Sequence, residues 1–224
     1  MKAEEIIESI LITTQSPDHD EDAVLGILNR GLVEIAGGGD RPHGEARVAP
    51  LPDLLTVAEV EVEAGDRFIV LPADYQRALV RVEIDGEPLR RVDSHMDFLG
   101  RYGKGTGDPV AYSLKGKRLW LGPVPNGDID LTVHYHRLPA TMKVSDEPEG
   151  LPDHLQYKLL FHYGCREIFS DIEQGLDGSN PDTIKHSRQY ALALTDLERF
   201  IGPEDGEATN IADELYTDDM IQRY

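Results

Sequence analysis

Leu79-Val80-Arg81-Val82-Glu83-Ile84-Asp85-Gly86-Glu87-Pro88-Leu89 is the stretch that decides the fold class. Apolar and charged residues alternate up to Ile84. That places Val80, Val82 and Ile84 on one face of a strand and Arg81 and Glu83 on the other. Asp85-Gly86 then supplies the two residues that a type I′ turn needs at positive φ, so a hairpin is predicted. Upstream, residues 57–63 alternate likewise, with Ala58, Val60 and Val62 against Glu59, Glu61 and Glu63. Downstream, Lys115-Gly116-Lys117 separates residues 110–114 from residues 118–121, and Asn126-Gly127 precedes an alternating run over residues 129–136. Short strands with regular turn signals predict an antiparallel sandwich or barrel-like domain over residues 46–138. No helix-length crossover is evident between them, so a parallel sheet is not expected.

On either side of this region the period changes from 2 to 3.6. Ala3–Thr14 carries Ile6, Ile7, Ile10 and Leu11 on one stripe, and Ser16-Pro17 stops it. Asp18, Asp20, Glu21 and Asp22 open a second helix, where negative charge suits the positive dipole end. Its stripe is Val24, Ile27, Leu28, Leu32 and Ile35, and Gly37-Gly38-Gly39 terminates it. Pro152 fits the first turn of a third helix reaching about residue 174, with Leu155, Leu159, Tyr163 and Phe169 among its apolar positions and Gly175 at its end. Asn180-Pro181 opens a fourth, whose stripe reads Ile184, Ala191, Leu194, Leu197 and Ile201 before Gly202-Pro203. Neither terminal pair can bury its stripe alone. The expected class is therefore α+β: one helical bundle from residues 1–40 and 150–202, with the β domain inserted. Residues 203–224 form an acidic, weakly periodic arm with apolar anchors at Leu215, Tyr216, Met220, Ile221 and Tyr224.

Composition narrows the function. The 224 residues hold 42 acidic and 22 Lys or Arg residues, a formal charge of −20. Such a chain repels phosphate backbones, which argues against sequence-specific nucleic-acid binding. No run approaches the ~18 apolar residues of a membrane span, and the N-terminal segment lacks the features of a secretory leader. The single Cys165 excludes an internal disulfide and a multi-Cys zinc site.

Four constellations could carry chemistry. His134 and His136 share a strand face and could converge on one ion, the basis of an alternative reading as a metal-dependent, cupin-like enzyme. Alternation alone also produces that pair, with Leu131, Val133 and Tyr135 inward. Gly100–Gly107 resembles a phosphate loop in glycine content but lacks the G-x-x-x-x-G-K-[ST] order. It reads instead as a mobile loop exposing Arg101, Tyr102 and Lys104, with Arg101 and Lys104 as a basic spot. Asp18-His19-Asp20 reads as a helix start before a cation site. Cys165 beside His162 and Arg166 reads as a half-buried structural thiol before a nucleophile. Neither G-x-S-x-G nor H-E-x-x-H occurs. No catalytic residue, metal or cofactor is expected.

The order of several stretches is informative. Ile27-Leu28-Asn29-Arg30-Gly31-Leu32-Val33-Glu34-Ile35-Ala36 comes first, then Leu71-Pro72-Ala73-Asp74-Tyr75 and Asp85-Gly86-Glu87-Pro88-Leu89. Gly107-Asp108-Pro109-Val110-Ala111-Tyr112 and Leu119-Trp120-Leu121-Gly122-Pro123-Val124-Pro125 follow. Leu131-Thr132-Val133-His134-Tyr135-His136-Arg137-Leu138-Pro139 and a helix start at Leu151-Pro152 complete the series. Over residues 20–201 the chain resembles the head-to-tail adaptor (connector) proteins of tailed bacteriophages. The resemblance implies a non-enzymatic virion protein at the head–tail junction, made in the host cytoplasm. It also implies a ring, typically of twelve subunits, that joins the portal protein to a tail tube or nozzle protein. The ring would line a channel that passes genomic DNA without reading it, with no membrane partner. Another tail-completion or fibre-attachment protein is the third reading.

Overall fold

The computed structural model describes residues 1–38, 49–173 and 180–202. Among these, helices run over Ala3–Thr14 (α1), Glu21–Ala36 (α2), His95–Tyr102 (α3), Asp153–Ile172 (α4) and Pro181–Ile201 (α5). Strands are Leu55–Val62 (β1), Phe68–Val70 (β2), Tyr75–Ile84 (β3), Glu87–Pro88 (β4), Arg90–Arg91 (β5), Ala111–Lys115 (β6), Arg118–Gly122 (β7) and Ile129–Arg137 (β8). The protein is α+β. Its described residues divide into a helical unit, residues 1–54 and 138–202, and a β unit, Leu55–Arg137.

In the helical unit α4 packs against α1, α2 and α5. Ile6, Ile10, Leu28, Leu32, Leu159, Leu160, Leu194 and Leu197 share one core and are almost wholly buried. Each such side chain contributes about 1.5–3 kcal/mol through removal from water. Helix α2 starts where Asp20 accepts a hydrogen bond from the Ala23 amide at 2.9 Å. Helix α1 has no side-chain cap; its first amides, Ala3 and Glu4, donate to the carbonyls of Asp146 and Val144. The same connecting segment is held by Asn29, whose amide brackets the Met142 backbone at 2.7 and 3.1 Å.

Close approach decides one residue of α2. A Cβ on Gly31 would stand 2.5 Å from the Tyr163 ring. That ring is stacked by the Arg166 guanidinium, which also lies over Tyr190. Arg166 pairs with Glu167 at 2.9 Å and Glu34 at 3.7 Å, and the Tyr190 hydroxyl donates to Glu34 at 3.2 Å. Burial opposes the Arg166 charge, but the Glu167 and Glu34 carboxylates outweigh it and hold the guanidinium protonated.

Helix α5 departs from the expected stripe. Ile184 is 65% exposed and Ala191 half-buried, while His186, Tyr190, Ala193, Leu194 and Leu197 face the core. Polar His186 and amphipathic Tyr190 displace the more apolar alternatives because each has partners on α4 or α2. Nor does Asn180 cap this helix. Glu173, at the end of α4, accepts from the Asp182 and Thr183 amides at 3.1 Å each and from the Thr183 hydroxyl. Glycines 39 and 175, expected as terminators, lie outside the described residues.

The β unit contains two four-stranded sheets, ordered β1-β8-β3-β4 and β2-β7-β6-β5. Val62, Val82, Leu131 and Val133 of the first sheet share a core with Ile69, Leu119 and Leu121 of the second. The β3–β4 hairpin turns through Asp85 and Gly86 at φ 52° and 82°, the positive values its turn type demands. Two expectations need correction. Val80 does not join Val82 on the buried face; it is 46% exposed, and Leu79 is buried instead. The pairing of β3 with β8 slips between Leu79 and Arg81, and a bulge reverses the alternation there. A helix also interrupts the strands: α3 joins β5 to β6, which run parallel over two residue pairs within an otherwise antiparallel sheet.

Helix α3 is absent from the sequence expectation. It begins at Ser94, whose hydroxyl accepts from the Asp97 amide at 3.3 Å, and it buries Phe98. Phe98 and Tyr102 lie so close to Gly122 that a Cβ there would meet them at 2.8 and 2.5 Å.

Candidate functional site

The anchors Leu215, Tyr216, Met220, Ile221 and Tyr224 lie outside the described residues, as does all of the arm from residue 203. Arg101 and Tyr102 are not in a loop: they form the last turn of α3, Arg101 exposed and Tyr102 half-buried. Lys104 is exposed just beyond. The glycine segment after it is tied down, since the Gly107 amide donates to the Val124 carbonyl and the Val124 amide to that of Gly105. The expectation of a loop over residues 100–107 is therefore corrected at residues 100–102, which are helical.

His134 and His136 do lie on the half-buried face of β8, with Leu131, Val133 and Tyr135 inward. The nearest carboxylate to His134 is that of Glu83, at 3.8 Å from Nε2. Glu83 also forms an ion pair with Arg81. Among the described residues no three His, Cys, Asp or Glu side chains are grouped to hold a metal ion. At the start of α2, Asp20 serves as cap, and His19 contacts Ser16 at 2.9 Å and Asp171 at 3.8 Å.

Cys165 and His162 are not arranged as a nucleophile and base. Burial pushes the Cys165 thiol up to about 12, so it carries no thiolate near neutrality. His162 Nδ1 is instead 3.1 Å from His186 Nδ1, a contact between α4 and α5. In the β unit the Tyr135 hydroxyl donates to Asp74 at 2.8 Å, and burial with that carboxylate raises the phenol to about 12. This contact joins two of the stretches that carry the adaptor resemblance and is structural.

A concave site that sequence reading missed lies on the second sheet. It is an open pocket of about 530 Å³ lined by Val70, His95, Lys115, Lys117, Arg118 and Trp120. The hairpin between β6 and β7 supplies the two lysines and Arg118, which are all exposed. Gly116, at φ 62°, makes that turn possible. The Arg118 guanidinium stands 4.8 Å over the Phe68 ring, and Lys117 Nζ donates to the Ala73 carbonyl at 3.2 Å. Among the described residues no carboxylate lies within ion-pair distance of Lys115, Lys117 or Arg118. His95 and Trp120 pack edge to face at 5.0 Å, and each keeps a buried ring nitrogen, Nδ1 and Nε1, without a hydrogen-bond partner among the described residues. Lys-Gly-Lys-Arg within an acidic chain was the available signal. Its meaning as a pocket depends on α3, which delivers His95.

None of this geometry resembles a catalytic constellation of nucleophile, base and oriented third group. No helix among the described residues is long and apolar enough to cross a membrane. No curated protein matches the chain. The family whose description is SU10 adaptor protein matches residues 1–212, nearly the whole sequence and both units. The chain belongs to the SU10 adaptor protein family, a family of phage head–tail adaptors.

Proposed function

We propose that this protein is a subunit of a twelve-membered ring that connects the portal to the tail tube or nozzle and surrounds the path of the genome. Family membership over residues 1–212 is the observation that carries the reading. The physical features agree with it. The chain holds its chemistry in structural contacts: Cys165 is buried and His162 is engaged with His186. Its charge of −20 suits a conduit, because an acidic lining repels phosphates and lets DNA pass without adhering. Heterologous contacts that close produce rings, and the arm over residues 203–224 is a segment suited to docking on a neighbour or partner. The protein acts as a structural component and not as an enzyme.

Mass measurement of the purified protein alone and mixed with its portal tests the proposal. The expected result is a monomer in dilute protein alone and a ring on the portal. Failure to bind the portal, or stoichiometric zinc or manganese lost on replacing His134 and His136 with Ala, overturns it. Removing residues 204–224 is expected to weaken portal or tail attachment while the monomer stays folded. Undiminished attachment would refute the role of the arm.

A further inference from the structure

We propose that the Trp120 pocket receives the acidic stretch of residues 204–224 from a neighbouring copy of the chain. The argument begins with charge. Lys115, Lys117 and Arg118 project from one hairpin, and among the described residues none of them meets a carboxylate, although the chain carries twenty more acids than Lys and Arg. Unpaired cations on so acidic a chain form a focus for a negative ligand. The pocket wall adds chemistry that a point charge lacks. Trp120 Nε1 is a donor only, and among the described residues it is buried without an acceptor. His95 Nδ1 is in the same position and can donate or accept. Val70, 62% exposed, and the indole face offer apolar contact beside these groups.

The stretch 204–224 matches on each count. It holds seven carboxylates against one cation, Arg223. Its acidic pairs Asp213-Glu214 and Asp218-Asp219 are each followed by an apolar pair, Leu215-Tyr216 and Met220-Ile221. An acid followed by an apolar anchor is what a cationic rim beside an aromatic wall recognises. A nucleic acid would also bring anionic acceptors, but a polyanion meets the repulsion of the whole chain, whereas a short segment meets chiefly the local field. The choice of a neighbouring copy as the source rests on the ring reading above. One segment filling the next subunit's pocket is the head-to-tail contact that closes a ring.

Trp120 is the single tryptophan, so its emission reports this pocket in the full-length protein. A synthetic peptide of residues 204–224 contains no tryptophan and is silent under selective excitation. Titrated onto dilute full-length protein, it should shift Trp120 emission saturably. Lys115→Glu with Lys117→Glu should weaken binding by about tenfold or more, a range reached by reversing rim charges; the milder Lys→Gln pair should fall between. Circular dichroism checks that both variants stay folded. A peptide with its seven acids changed to amides should not bind. Without peptide, raising the protein concentration should produce the same shift. Equal binding of the neutral peptide, or a shift with a short DNA duplex and none with the peptide, overturns the pocket assignment. A peptide-like emission that does not change on dilution overturns the neighbouring copy as source. A portal-bound ring that forms undiminished with the Lys→Glu pair overturns the pocket's role and leaves the ring reading intact. Peptide binding without any ring on the portal overturns the ring reading instead.

Discussion

Acid should loosen the helical bundle through one contact, the imidazole pair of α4 and α5. His162 Nδ1 and His186 Nδ1 stand 3.1 Å apart, so one ring donates and the other accepts. His186 is 2% exposed, with Phe161 and Phe169 against its ring, and among the described residues its Nε2 has no partner. Lys158 and Lys185 add positive charge nearby, and Asp182 partly offsets it at His186. Burial pushes His162 down from 6.5 to about 4, with His186 and the two lysines adding to the shift; burial first and then Lys185 lower His186. Because the folded values lie below the unfolded one, the unfolded chain binds more protons in this window. The contribution is intact above the unfolded pKa of 6.5 and is lost as pH falls towards 4. For His162 alone, RT ln[(1 + 10^1.5)/(1 + 10^−1)] gives a loss of about 2 kcal/mol by pH 5, towards a limit of about 3 kcal/mol. Partial exposure of His162 makes these upper bounds. The assay is urea unfolding at pH 7 and pH 5, with ellipticity at 222 nm following the helices and Trp120 emission following the β unit. His162→Gln can still hydrogen-bond His186 but cannot titrate, and it should lose less stability between these two pH values than the parent. Equal losses in parent and variant would refute the reasoning.

Three other perturbations test the packing. Gly31→Ala should destabilise by about 1–3 kcal/mol through overpacking on Tyr163, less the ~1 kcal/mol that Ala gains in a helix; Gly26→Ala, with open space around it, should gain that ~1 kcal/mol, and thermal melts distinguish the two. Leu79→Ala should cost about 2–5 kcal/mol while Val80→Ala stays within about 0.5 kcal/mol by denaturant titration; the reverse order would show unbroken alternation and no bulge in β3. Glu173→Ala should lower Tm more than Glu173→Gln, since only the amide keeps an acceptor for the first turn of α5. Burial alone would raise the Glu173 pKa, but the bonds from Thr183 and Asp182 hold it below the usual carboxylate value. Its contribution is thus present above the unfolded pKa and is lost as pH falls through the folded one, and melts of Glu173→Gln should show less of that acid loss.

What was legible in the sequence follows from the range of each signal. Amphipathic stripes are local, so α1, α2 and α4 emerged with nearly their observed ends, and Asp85-Gly86 marked its hairpin because the turn needs only those two residues. The face of α5 was misread at Ile184 because the choice between it and His186 depends on His162, 24 residues away. The bulge in β3 depends on its register with β8, more than fifty residues on. Helix α3 is eight residues long, too short for periodicity to show, and its glycine-rich end suggested a loop. Ser94 with Asp97 three residues later was the readable start signal. The adaptor resemblance rested on stretches that prove structural: Asn29 holds Met142, Gly31 admits Tyr163, and Asp74 accepts from Tyr135. The pocket was illegible for the opposite reason. Its cations and Trp120 share the β6–β7 hairpin, but His95 comes from a segment about twenty residues earlier, brought to them by α3.

In the proposed ring, the charge of −20 and the Trp120 pocket act over different distances. Repulsion between whole subunits is summed over many charges tens of ångströms apart, beyond the ~8 Å over which salt at physiological strength lets charges interact. A carboxylate seated against Lys115 or Arg118 would lie within a few ångströms, beside a partly buried indole, where screening is weaker. Rising salt therefore removes the opposition to assembly before it removes the attraction. Assembly of the free protein should pass through an optimum at intermediate ionic strength. A ring held only by apolar contact would tighten steadily with salt, and one held only by exposed ion pairs would weaken steadily. An acidic surface with one cationic pocket thus keeps subunits apart when dilute and leaves a single orientation in which they attract.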